Sequence, residues 1–230
     1  MKRMRSRSCV ALVVTALWPA APALSDPIVV DQFNLRDSGG FHGDAVIQNQ
    51  SYAQTFTVGV TGNLRFIDLQ LYRGPGTQTD VMLDVLPTLA SGAPAGIDRS
   101  LFSTTIPIDQ IFTLHSQTDD VPILSIPIPS NAVRVLAGQT LAIALRRFDS
   151  TPAPAWVIWS LIDPGKDYLG GHPYLDIGAG WQDARHGGVG GDAAFQTRVE
   201  PMAAVPEPAS LLLLGSGLGA IAARRLRRRR

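Results

Sequence analysis

Short runs in which apolar and polar residues alternate, each closed by a turn rich in Gly, Pro or Asp, constrain this chain more than any other feature. Ile67, Leu69 and Leu71 alternate with Asp68 and Gln70, and Val81, Leu83 and Val85 repeat the pattern after Gly74-Pro75-Gly76. Leu141, Ile143 and Leu145 would point one way and Ala142 and Ala144 the other. A period of two places one strand face in a core and the other toward water, and it does not suit a helix. Composition agrees. Between residues 26 and 204 the only Glu is Glu200 and the only Lys is Lys166, while Thr, Val, Ile, Gly and Pro abound. Strong helix formers are missing where strand and turn formers are plentiful.

Strands are expected over residues 28–35, 52–60, 64–72, 81–85, 101–106, 123–128, 139–146, 155–161 and 193–199. Thr61-Gly62-Asn63 reads as a hairpin turn between the second and third. Pro127 suits an edge strand. Residues 89–98, rich in Gly, Ala and Pro, read as a loop, and the Gly-rich span 163–192 precedes the last strand. Strands and turns at this spacing predict an all-β fold, an antiparallel jelly-roll-like β-sandwich. One domain, residues 26–200, is large enough to bury a core unaided.

The two ends differ from this middle. Lys2, Arg3, Arg5 and Arg7 precede a short apolar core and the small residues Ala21-Pro22-Ala23-Leu24-Ser25, the pattern of a signal peptide over residues 1–25. Cys9, the only cysteine, lies within it, so the exported chain has neither a disulfide nor a thiolate ligand. At the other end a linker over residues 201–208 ends in Pro206-Glu207-Pro208. The uncharged segment 209–223 follows, then the basic tail 224–230 with Arg224, Arg225, Arg227, Arg228, Arg229 and Arg230. As a helix the segment would be roughly 22 Å long at 1.5 Å per residue, short of a hydrocarbon core of about 30 Å. Arginine stems that snorkel make up part of that mismatch. A core helix would carry a polar face and this one has none. The segment therefore reads as a transmembrane helix, with the arginines fixing its end on the cytoplasmic side.

Pro206-Glu207-Pro208, the Leu/Gly helix and the terminal arginines, in that order, resemble the PEP-CTERM sorting signal of Gram-negative bacteria. The resemblance implies an exosortase, a membrane transpeptidase-like cysteine protease, as partner. It also implies transient residence in the inner membrane, cleavage near the PEP triplet, and delivery to the cell surface or extracellular matrix. Prolines on both sides of Glu207 disfavour helix there, as an accessible cleavage site requires. A second resemblance covers the later half of the middle. Residues 138–145, Tyr168-Leu169-Gly170-Gly171, Trp181 and Asp192-Ala193-Ala194-Phe195 are similar to the late strands of secreted bacterial β-sandwich domains. Some of those are carbohydrate-binding jelly rolls.

Charge and chemistry narrow the classes further. The formal net charge of +1 conceals an uneven distribution. The N-terminal segment carries four basic residues and the tail six basic and one acidic. Ten basic and eighteen acidic residues remain between 26 and 204, a net of −8. Such a domain has no electrostatic footprint for nucleic acid. The histidines His42, His115, His172 and His186 are scattered, and no nucleophile elbow or phosphate-binding loop is present. Most aspartates sit within two residues of Gly, Pro or Ser, where Asp is the expected turn former. No catalytic residue and no cofactor are expected.

Two candidate sites remain. Trp159, Tyr168, Tyr174 and Trp181 could stack on sugar rings of an extracellular polysaccharide, and core or loop packing is the competing reading. A structural Ca²⁺ would draw on Asp163, Asp167, Asp176 and Asp192, against which stands their reading as solvated turn residues. Residues 187–192 match the start of a calcium-binding repeat, once, and read rather as a loop into the last strand. The expected function is a non-enzymatic exported β-sandwich that binds polysaccharide. The alternatives are a purely structural or adhesive biofilm protein and a secreted hydrolase using Asp pairs.

Overall fold

A computed structural model describes residues 27–35, 43–46, 50–116, 119–147, 156–162, 168–187 and 191–202. The signal peptide, the PEP triplet, the 209–223 segment, the basic tail, Asp163 and Asp167 lie outside the described residues. Fourteen strands run through the described residues, and the only helices there are three single 3₁₀ turns. The strands are β1 (Val29–Asn34), β2 (Gly43–Val46), β3 (Ser51–Thr57), β4 (Gly62–Arg73), β5 (Val81–Pro87), β6 (Phe102–Ile106) and β7 (Phe112–Thr113). They continue with β8 (Ile123–Pro127), β9 (Arg134–Val135), β10 (Thr140–Arg147), β11 (Val157–Ser160), β12 (Pro173–Asp176), β13 (Gln182–Asp183) and β14 (Phe195–Pro201).

They form two sheets. The first runs β1-β14-β4-β11-β2, with β7, β8 and β9 also paired to β4. The second runs β13-β12-β3-β10-β5-β6. Every pairing is antiparallel apart from the two-residue contact of β4 with β7. The sheets share one core, in which Leu64, Ile67, Leu69, Leu71, Trp159 and Phe195 of the first meet Tyr52, Phe56, Leu83, Val85, Leu141, Ile143 and Leu145 of the second. Tyr52 meets Trp159 edge-on at 6.0 Å, and Phe56 lies 5.9 Å from Phe195. Each fully buried side chain of this size contributes about 1.5–3 kcal/mol, so this inter-sheet layer dominates the stability. The alternation seen in β10 is realised, because Ala142 and Ala144 face a second, smaller cluster with Ala53, Leu86 and Tyr174.

The strand β4 holds the first sheet together, and its inward phase changes along its length. Gly62 and Leu64 are buried, Arg65 and Phe66 are both half-buried, and burial resumes at Ile67, Leu69 and Leu71. The cause is a bulge. Val199 of β14 lies opposite Leu64 and Arg198 opposite Phe66, which leaves Arg65 as the extra residue. Phe66 is thereby turned out of the core and takes the Arg198 guanidinium over its ring at 4.1 Å. Arg198 also reaches Asp68 at 2.9 Å, where Gln196 donates a further bond at 2.9 Å.

Two expectations need correction. Thr61-Gly62-Asn63 is not a hairpin turn, because β3 and β4 belong to different sheets. Gly62 and Asn63 are already strand, paired with Pro201 and Glu200 on β14 and with Val135 and Arg134 on β9. A Cβ at Gly62 would stand 2.2 Å from the Glu200 carbonyl oxygen, so glycine here serves close strand approach rather than a turn. The Gly-rich span before the last strand likewise contains β12 and β13, the former pairing with β3 from Pro173–Gln54 to Asp176–Ser51. Glycine content concealed them.

Candidate functional site

The aromatic residues singled out in the sequence separate into two groups. Trp159 has no solvent exposure. Its strand is regular, it pairs with Leu71, and parity turns it into the core. The indole Nε1 donates to the Ala194 carbonyl oxygen at 2.8 Å. Its expected role in stacking on a ligand is therefore corrected: Trp159 is a core residue. Its neighbour Trp156 instead meets Tyr72 edge-on at 6.2 Å. Tyr168 is half-buried, edge-on to Phe195 at 5.2 Å, with its hydroxyl donating to Gln32 Oε1 at 2.5 Å. Burial pushes its phenol up to about 12, Asp31 and Asp192 add to the shift, and a backbone hydrogen bond from Thr57 opposes it. It packs against the core as a half-buried ring.

Tyr174 and Trp181 belong together on the outer face of the second sheet. Tyr174 is buried against Ala53, Leu86, Ala142 and Ala144, and Trp181 packs against the same cluster. Burial raises the Tyr174 phenol, Asp183 adds to this, and Arg185 opposes it. The alanines of β3 and β10 explain the arrangement. Small outward residues in adjacent strands leave a depression that large rings from the β12–β13 hairpin fill. Trp181 is fixed by its Nε1, which donates to the Ala95 carbonyl oxygen at 3.1 Å. That bond ties the hairpin to the 89–98 loop.

Between the loop and the hairpin runs a groove of about 400 Å³. Gly180 and Trp181 from the hairpin, Leu89, Pro94 and Ile97 from the loop, and Ser51 of β3 line it. Asp98 and Asp176 line it too. Asp176 is oriented by its own turn, since Oδ1 accepts from the backbone N–H of Gly178 at 2.7 Å and of Gly180 at 3.0 Å. Gly178 and Gly180 both take left-handed φ values, 96° and 88°, which lets the turn close. Leu89 and Ile97 are 46% and 47% exposed. Sequence reading missed Asp98, Ile97, Leu89 and Ser51. The available signal was the presence of large apolar residues in a loop otherwise built from Gly, Ala and Pro.

The calcium candidates do not converge. Asp192 is buried, and its oxygens accept from Gln54 Nε2 at 2.9 Å and from the Tyr168 backbone N–H at 2.8 Å. Gln54 in turn accepts from the Ala193 N–H at 2.9 Å. This network fastens the entry to β14 onto β3, so Asp192 is a structural anchor. Asp176 stands apart from it, in the groove. Asp163 and Asp167 are outside the described residues, and among the described residues no three His, Cys, Asp or Glu side chains are grouped to hold an ion. Among the described residues the other buried carboxylates are also paired: Asp84 with Arg146 Nε at 2.7 Å and with the Ser103 hydroxyl, and Asp68 with Arg198 at 2.9 Å.

Residues 204–229 match the PEP-CTERM protein-sorting motif. The chain is a PEP-CTERM domain-containing protein. The motif covers the Pro206-Glu207-Pro208 triplet and all but the last of the arginines. It marks this PEP-CTERM protein as exported and processed by an exosortase. Among the described residues no helix is long and apolar enough to cross a membrane. No curated protein and no solved structure matches the chain.

Proposed function

We propose that this PEP-CTERM protein is a non-enzymatic component of the cell surface or extracellular matrix of a Gram-negative bacterium. In this reading its jelly-roll-like sandwich binds extracellular polysaccharide in the groove between the 89–98 loop and the β12–β13 hairpin. Residues 1–25 direct export, and the 209–223 helix holds the precursor in the inner membrane until cleavage near Pro206-Glu207-Pro208. The observation that carries the ligand reading is Trp181, held by Ala95 beside Asp98, Asp176 and the Ser51 hydroxyl. An indole offers an apolar platform for the C–H face of a sugar, and carboxylates and hydroxyls beside it take the sugar's polar rim.

Glycan-array binding by the exported protein tests this reading. Binding should be lost in Trp181→Ala and kept in Leu169→Ala, a residue 96% exposed and outside the groove. Turnover of a bound glycan, abolished by Asp176→Asn, would overturn the non-enzymatic part. A purely adhesive role is the second reading. Edge strand β1 favours it, because Val30 and Phe33 there are 53% and 59% exposed. An array with no glycan bound, together with concentration-dependent self-association, would select that alternative.

A further inference from the structure

Resting on the reading of the groove as a glycan site, we infer that its occupant is a cationic polysaccharide: a chain of hexosamine units whose 2-amino groups are free. The argument is one of charge complementarity. Asp98 and Asp176 both line the groove, and among the described residues no Lys, Arg or His does. Asp176 spends Oδ1 on Gly178 and Gly180, and among the described residues Oδ2 has no hydrogen-bond partner. Asp98 has none among the described residues either.

Among the described residues, the neighbouring cations are engaged elsewhere or do not line the groove. Arg146, opposite Ser51 in the sheet, is held by Asp84. Arg185 is held in a two-pronged pair by Asp183 at 3.0 and 3.2 Å. Arg99 follows Asp98 in sequence but does not line the groove. Walls of low dielectric made by Leu89, Ile97 and Trp181 concentrate the field of the two carboxylates, and the net charge of −8 over residues 26–204 adds a background of the same sign. Uronate or sulfate-bearing chains are repelled by this surface. An ammonium group is attracted twice, to a carboxylate and to the face of the indole. N-acetylation removes that charge and leaves only stacking and hydrogen bonds.

The test is titration calorimetry on the full chain in detergent with three oligosaccharides of equal length: a β-1,4-glucosamine oligomer, its fully N-acetylated form, and an oligouronate. The pH is set above the carboxylate range and low enough to keep the amines charged. The free-amine oligomer should bind about tenfold more tightly than the acetylated one, as expected for two exposed ion pairs. That advantage should disappear in ~1 M salt and in the Asp98→Asn/Asp176→Asn variant, while Trp181→Ala loses both ligands. Asp176 also orders its turn, so if the double variant does not fold, Asp98→Asn alone should reduce the advantage by about threefold. Acetylated oligomer bound as tightly as the free amine, or a preference undiminished in a folded Asp98→Asn protein, overturns this inference and leaves the glycan reading standing. Failure of all three oligosaccharides, with the array also blank, overturns both.

Discussion

Tyr168 shows how a single side chain ties stability to pH. Its phenol is raised from an ordinary value of 10 to about 12, chiefly by burial. Between those values the unfolded chain has released the proton and the folded chain still holds it. The folded state then binds more protons, so stability is level below pH 10 and falls as pH rises from 10 to 12. Tyr168→Phe should flatten that part of the alkaline limb in urea titrations, while costing about 1 kcal/mol at neutral pH for the lost bond to Gln32. Trp159 supplies a contrasting case. Trp159→Phe leaves a cavity and an unpaired Ala194 carbonyl, and should destabilise by about 2–4 kcal/mol. Glycan binding at the groove should remain that of the parent protein. A binding defect at unchanged stability would contradict its placement in the core.

At the scale of elements, alternation and turn chemistry located the long strands to within a few residues. Expected strands at 81–85, 101–106 and 139–146 correspond to β5, β6 and β10. Pairing was not legible. A hairpin and a crossover between sheets can both leave an apolar strand through Gly and Asn, and only the partners distinguish them. Gly62 is the position that separates the two readings. Gly62→Ala would drive a methyl against the Glu200 carbonyl and the Val199 side chain, forcing β4 and β14 apart at their paired ends. We expect a loss of about 1–3 kcal/mol, measured as a lowered urea midpoint at constant m-value. A turn glycine with no close neighbour, such as Gly138 with φ of 83°, would respond only through backbone strain. The strands β12 and β13 escaped sequence reading because their segment is punctuated by glycine, and it is the pairing of β12 with β3 and of β13 with β12 that makes them strands.

At the scale of the whole molecule, the sorting motif and the sandwich are separate instructions on one chain. Replacing Pro206-Glu207-Pro208 by three alanines should block the proposed cleavage. Mass spectrometry of the membrane fraction should then find Arg224 to Arg230 retained, where the parent protein is found cut ahead of them. Equal processing of both forms would remove the triplet from the account. The address motif was legible from sequence because it is local: prolines, an uncharged run and a block of arginines are read in order, without folding. The all-β class was legible for the same reason, since period-two alternation is a property of neighbours in the chain. The groove was not. Trp181 and Asp176 share the β12–β13 hairpin, while Asp98 and Ser51 come from two other stretches, and Trp159 resembles Trp181 in the sequence while one is core and the other lines the groove. That distinction rests on which strand lies beside which. It is fixed by long-range burial and pairing, which only the tertiary structure decides.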